Sequence, residues 1–156
     1  MPDVHDQMGS NFIYNRAFVI DAAQPKEPQR GETELQVYSA CFVFNLALIY
    51  HRRGINQRSA HLLTKAEKVY EMGKKIVRGL SLSYGTVLSV SLVATNNISL
   101  IQFGQGHFSE ARHGLSCLAY FIDSAENSRD FFSQKDWDGL HLNMLLLNPP
   151  GFAPAA

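Results

Sequence analysis

Apolar residues recur at helical spacing through most of this chain, and the breaks in that spacing divide it into elements. Residues 1–10 and 21–31 are polar and carry the Pro and Gly signals of loops, "AQPKEPQRG" most clearly. Between them lies "FIYNRAFVI", whose aromatic and β-branched content favours a strand. "TELQ", Thr33 to Gln36, has capping-box spacing and predicts a helix running to Arg53, with Gly54 just past its end and Arg52 and Arg53 in its last turn. This helix is apolar nearly all round and must be covered on more than one side. From Thr64, the residues Ala66, Val69, Tyr70, Gly73, Ile76, Val77 and Leu80 fall on one helical face, with lysines and glutamates on the other. "TKAE" repeats the capping spacing there, and Ser59 offers an earlier start; Glu71 and Lys75 stand in favourable order for an ion pair.

"TVLSVSLVATNNISLIQFGQG" suits a strand by propensity but also places Val90, Val93, Ala94, Asn97, Ile98 and Ile101 along one helical side. The helical reading is preferred because "HFSEARHGLSCLAYFI" keeps helical spacing from Phe108 to Ile122, with "GQG" as a tight helix-to-helix turn. In "LHLNMLLLN", Leu140, Leu142, Met144 and Leu146 alternate with His141, Asn143, Leu145 and Leu147, which is strand spacing. The two terminal segments are therefore expected to pair as an antiparallel ribbon against the helices, since an isolated hairpin needs a layer to pack on.

Composition narrows the class. The chain has 156 residues, enough for one domain with its own core, and 46% apolar against 18% charged residues argues for a folded body. Fourteen basic residues balance fourteen acidic ones, so no net field attracts phosphate backbones or anionic lipid. The N-terminus lacks the basic start and apolar stretch of a secretory signal, and the nearly apolar run from Tyr38 to Tyr50 is far short of the ~20 residues of a membrane span. A cytoplasmic or nuclear address, without membrane, is the expectation. Cys41 and Cys117 both lie in apolar helix-like stretches and are expected as buried small hydrophobes rather than a disulfide.

Aligning the chain with itself brings Asn45 onto Asn97, Leu46 onto Ile98, Ala47 onto Ser99 and Gly54 onto Gly106. Asn45, Leu46, Ala47, Tyr50 and Gly54 resemble the first helix of a tetratricopeptide-type hairpin, and Gly106, Phe108, Glu110 and Ala111 resemble that family's turn and second helix. The resemblance covers roughly residues 38–122 and is degenerate: Asn45 and Asn97 are 52 positions apart and Ala66 and Ala111 are 45 apart, against a family period of about 34. Gln102 stands where an aromatic is expected, no Pro ends either hairpin, and "INQRSAHLLTK" is extra in the first copy. "FNLALIYH", "KAEKVYEMGK", "NN" and "APAA" together also resemble a group of uncharacterised algal proteins, which implies no function.

The resemblance implies a mainly α fold of stacked antiparallel hairpins in a single domain of residues 1–156. Hairpin 1 spans about 33–80 and hairpin 2 about 86–125, with capping segments at 11–20 and 137–147 and a mobile tail at 149–156. Small residues, Ala47, Ala66, Gly73, Ser99 and Ala111, would let the helices approach closely.

Candidates for chemistry are weak. His107 and His113 are six apart and lack an i, i+4 ligand pair, so no metal or other cofactor is expected. His113 and Cys117 are within reach on one helical side, but a dyad needs exposure and an orienting third group. "GQGHFSE" lacks the Lys-Ser/Thr ending of a phosphate loop, and Asp136 and Asp138 around Trp137 have the character of turn caps. The basic group Lys65, Lys68, Lys74, Lys75 and Arg78 with His51, Arg52 and Arg53 is interrupted by Glu67 and Glu71, as on a solvated face.

The expected function is non-catalytic binding of a protein or peptide partner, in a monomer or a weak homo-oligomer formed through an uncapped repeat end. By the resemblance, Phe44, Leu48, His51 and Arg52 of the first copy and Asn96, Leu100 and Phe103 of the second face the ligand, while Asn45 and Asn97 are structural or shared. An RNA-associated helical-repeat module is the alternative, followed by a small thiol/His enzyme using Cys117 and His113.

Overall fold

The computed structural model describes residues 12–20, 31–81, 85–124 and 132–147. The described residues are mainly α-helical, in five helices: α1 (Gly31–Asn56), α2 (Ala60–Val77), α3 (Gly85–Gly104), α4 (Phe108–Ser124) and α5 (Gln134–Leu147). They fall into two compact units, one of residues 15–94 and one of residues 1–14 with 95–156. The expected tail at 149–156 lies outside the described residues.

In the unit of residues 15–94, α1 and α2 pack as an antiparallel pair, as small residues dictate. A methyl at Gly54 would lie 2.8 Å from Leu63 Cδ2, and one at Gly73 would lie 3.6 Å from the Ala40 carbonyl oxygen. Rings fill the space between these close approaches, Phe44 against Tyr70 at 5.2 Å and Tyr70 against His51 at 5.9 Å. Ala40, Cys41 and Val77 then meet Val87 and Val90 from the start of α3, with Phe18, Val37, Ile76 and Leu80 around them. The sequence places the stop of the first helix at Gly54; instead α1 continues to Asn56. Gly54 serves the approach to Leu63, and the end is closed by bonds from Ser59 N to the Gly54 carbonyl at 2.8 Å and from Arg58 N to the Ile55 carbonyl at 3.1 Å. Arg58 takes the left-handed position, φ 50°, that glycine usually fills. Ser59 caps α2, its hydroxyl accepting from Leu62 N.

In the other unit, α4 follows the later half of α3 across a tight turn. Gln105 to His107 turn the chain, with Gly106 at φ 82° and bonds from His107 N to the Gln102 carbonyl and from Gly106 N to the Phe103 carbonyl. A side chain at Gly114 would overlap the Ser99 hydroxyl, so these two positions meet at close range. α5 packs on α4.

No strand occurs among the described residues, and the expected β ribbon is corrected on that ground. Residues 137–147 lie in α5: Asp136, Trp137, Gly139, Leu140, Asn143 and Leu147 are buried at helical spacing, and Leu and Met favour helices. The alternation in "LHLNMLLLN" follows from a run rich in Leu. Ser133 and Asp136 form a capping box at its start, Ser133 N and Oγ donating to Asp136 Oδ2 at 3.0 and 2.6 Å while Asp136 N donates to Ser133 Oγ at 3.2 Å.

α3 is buried from Val87 to Ile101. It is long and apolar enough, by length and composition, to cross a membrane, and burial inside the chain is also what a core helix shows.

Candidate functional site

An asparagine side chain carries the same donor and acceptor as a peptide group, so on a helix it can pair with the N–H and the C=O of a passing residue. A residue's own N–H and C=O lie on the same side only in extended conformation. Among the described residues three asparagines make that double contact.

Within the unit of residues 1–14 and 95–156, Tyr14 N donates to Asn97 Oδ1 at 3.1 Å and Asn97 Nδ2 donates to the Tyr14 carbonyl at 2.9 Å. Two residues earlier, Phe12 N donates to Asn143 Oδ1 at 3.0 Å and Asn143 Nδ2 donates to the Phe12 carbonyl at 2.6 Å. Asn96 joins the pairs. Its Nδ2 donates to the Phe12 carbonyl at 3.3 Å and to Asn97 Oδ1 at 3.0 Å, and its Oδ1 accepts from Asn143 Nδ2 at 2.8 Å. All three side chains are fully buried. The two-way bonding fixes every amide orientation, since a flip would set donor against donor. Such a satisfied buried network is worth far more than a partly satisfied one.

The side chains of the held segment are received separately. Tyr14 is buried, its ring edge-on to Phe132 at 5.8 Å, and Phe132 is in turn edge-on to Trp137 at 5.2 Å. The Phe12 ring occupies the space that a Cβ at Gly139 would need. Gly139 is therefore a notch in α5 shaped for an aromatic ring.

The unit of residues 15–94 contains the same device. Phe18 N donates to Asn45 Oδ1 and Asn45 Nδ2 to the Phe18 carbonyl, both at 2.8 Å, and the Phe18 ring stands edge-on to Phe44 at 5.1 Å. Asn45, Asn97 and Asn143 thus come one each from α1, α3 and α5.

Of the residues expected to face a ligand, Phe44, Leu48, His51, Asn96 and Leu100 are buried, Phe103 is half-buried and Arg52 is exposed. Phe44 and Asn96 lie against residues of this protein's own N-terminal segment, Phe18 and Phe12 respectively. His51 lies against Tyr70, its Nδ1 3.3 Å from the Tyr70 hydroxyl, and burial pulls its pKa down to about 4. Phe103 packs edge-on to Phe108 at 5.1 Å. Asn143, Gly139, Phe132 and Trp137 were not among the expected site residues. A signal for Asn143 exists: it follows Asn97 by 46 positions, close to the 52 between Asn45 and Asn97.

The other chemistry-bearing residues have structural surroundings. His113 Nε2 is 3.9 Å from Cys117 Sγ on an exposed face of α4, and among the described residues no third group orients the imidazole. Cys41 and Cys117 are both free, and burial raises the Cys41 thiol to about 11. Asp138 accepts from Gln134 Nε2 at 2.7 Å. In the basic group, Lys65 lies over the Tyr50 ring and Lys74 pairs with Glu71 at 3.4 Å, in place of the expected Glu71 and Lys75 pair. Among the described residues no three His, Cys, Asp or Glu side chains gather as metal ligands.

Comparison with protein-family models, curated proteins and solved structures yields no match to this chain.

Proposed function

We propose that this chain is a non-catalytic interaction module, a short stack of tetratricopeptide-like hairpins that binds an extended segment of a protein or peptide partner. The observation that carries this reading is the double hydrogen bond from a helix-borne asparagine to the N–H and C=O of one residue, made by Asn97 to Tyr14 and repeated by Asn143 and Asn45. Main-chain pairing supplies affinity that depends little on sequence, as when a strand is added to a sheet edge, and neighbouring pockets supply selectivity. The recurrence of the asparagine on α1, α3 and α5 supports treating these as equivalent first helices, with α5 opening a third copy.

The test is selection of peptides from a random displayed library by the full chain. Selected peptides are expected to bind at least about tenfold more weakly when one backbone amide is methylated, the loss of one well-made hydrogen-bonded pair. A selection that returns nothing, or peptides indifferent to methylation at every position, would sink the reading.

A further inference from the structure

The site formed by Asn96, Asn97, Asn143, Gly139 and Phe132 recognises two things at once. Its amides read N–H and C=O groups, which every residue except proline offers. Residue identity is read at the notch of Gly139 and at the ring of Phe132, which receive Phe12 and Tyr14. Side chains two positions apart point to the same side of an extended chain, so the notch and the ring face can take the first and third residues of a single strand. Resting on the peptide-binding reading above, we propose that the partner of this site is an extended peptide carrying two aromatic residues separated by one, and that Phe12-Ile13-Tyr14 is a tethered copy of that ligand which such a peptide displaces.

Three features argue for this partner. Gly139 has no side chain where the Phe12 ring lies, and any Cβ there would overlap it, so the position is shaped to a ring rather than to packing between helices. Tyr14 is buried against a relay of aromatic rings, Phe132 and Trp137, which favours an edge-on aromatic occupant over an aliphatic one. The hold also borders the surface: Asn15, Arg16 and Ala17, directly after Tyr14, are exposed. Opening of a held segment next to exposed chain draws on local rather than global stability. A tethered occupant competes at an effective concentration set by its linker, on the order of millimolar. The intact chain should accordingly bind a free peptide weakly, by the fraction of time its own segment is away.

The experiment uses the full chain and a fluorescein-labelled peptide of residues 10–18, Ser-Asn-Phe-Ile-Tyr-Asn-Arg-Ala-Phe, followed by anisotropy. The Phe12→Ala/Tyr14→Ala chain is expected to bind it at least about tenfold more tightly than the unaltered chain. Replacing the peptide's Phe12 and Tyr14 by Ala, with its Phe18 kept, should abolish binding, as should adding Gly139→Leu to the double variant. A second measurement needs no variant: on the unaltered chain, excess unlabelled peptide is expected to speed hydrogen exchange in residues 12–18. Equal binding of the Ala peptide, no gain in the double variant, or unchanged exchange at millimolar peptide would overturn the proposal. So would a dimer that exchanges the segment between copies in place of taking up peptide. Library peptides that bind through Asn97 yet lack paired aromatics would overturn this inference while leaving the general peptide-binding reading intact; failure of every peptide would remove both.

Discussion

Tyr14 and Asn97, 83 positions apart in sequence, exchange two hydrogen bonds in opposite directions, the backbone of one against the side chain of the other. Both are buried, so neither amide nor carbonyl has water to fall back on. Asn97→Ala should cost about 3 kcal/mol, because it leaves both Tyr14 groups and the Nδ2 of Asn96 short of a partner. Asn97→Asp should cost more at pH 7 than at pH 4, since a buried carboxylate faces the Tyr14 carbonyl until it is protonated. Urea denaturation of both variants at the two pH values checks the order.

Arg58 closes α1 in the left-handed conformation at φ 50°. Arg58→Gly relieves the clash of its Cβ, offset in part by the greater freedom of glycine in the unfolded chain. A net gain of about 0.5–1 kcal/mol is expected. Thermal unfolding would register this as a rise of a few degrees, and a fall would mean that the arginine side chain is holding the turn.

His51 supplies a pH dependence. Its pKa in the folded chain is about 4, against an ordinary value of 6.5, because burial disfavours the imidazolium. Between those values the unfolded chain binds a proton that the folded chain does not, so stability falls as pH drops from 6.5 toward 4 and changes no further below that. The whole effect is about 3 kcal/mol. His51→Leu should remove this component of the slope, measured as unfolding free energy at several pH values.

The two cysteines should differ in reactivity. Cys41 is 3% exposed and its thiol is raised to about 11, whereas Cys117 is partly exposed on α4. An alkylating reagent at pH 8 is expected to label Cys117 in the native chain and reach Cys41 only after unfolding. Mass spectrometry of the peptides reads the outcome, and early labelling of Cys41 would mean that the packing of α1, α2 and α3 around it opens readily.

The helices were legible because their signals are local. Ser59, the glycines of "GQG" and the faces of α2 and α4 each act within a turn or two of chain. Gly54 misled because one residue type serves two ends: the same missing Cβ that permits a left-handed stop also permits the approach of Leu63. The site was half visible. Self-comparison paired Asn45 with Asn97, but what an asparagine side chain touches depends on chain far away in sequence, and Phe12 and Asn143 are 131 positions apart. The contacts of Phe44 with Phe18 and of Asn96 with Phe12 likewise come from a covering segment that no helical periodicity encodes.

The asparagine pairs also have a chemical lifetime. Hydrolysis of one side-chain amide to a carboxylate would replace two donors by an acceptor and turn an attraction for the Tyr14, Phe12 or Phe18 carbonyl into a repulsion. That reaction begins with attack by the next residue's backbone nitrogen, and Asn45, Asn97 and Asn143 all lie inside helices, where that nitrogen is held in the helical hydrogen-bond ladder. Carrying the amide on a helix instead of a loop therefore protects it from ageing, and a chain that frays at α5 would lose its hold on Phe12 irreversibly.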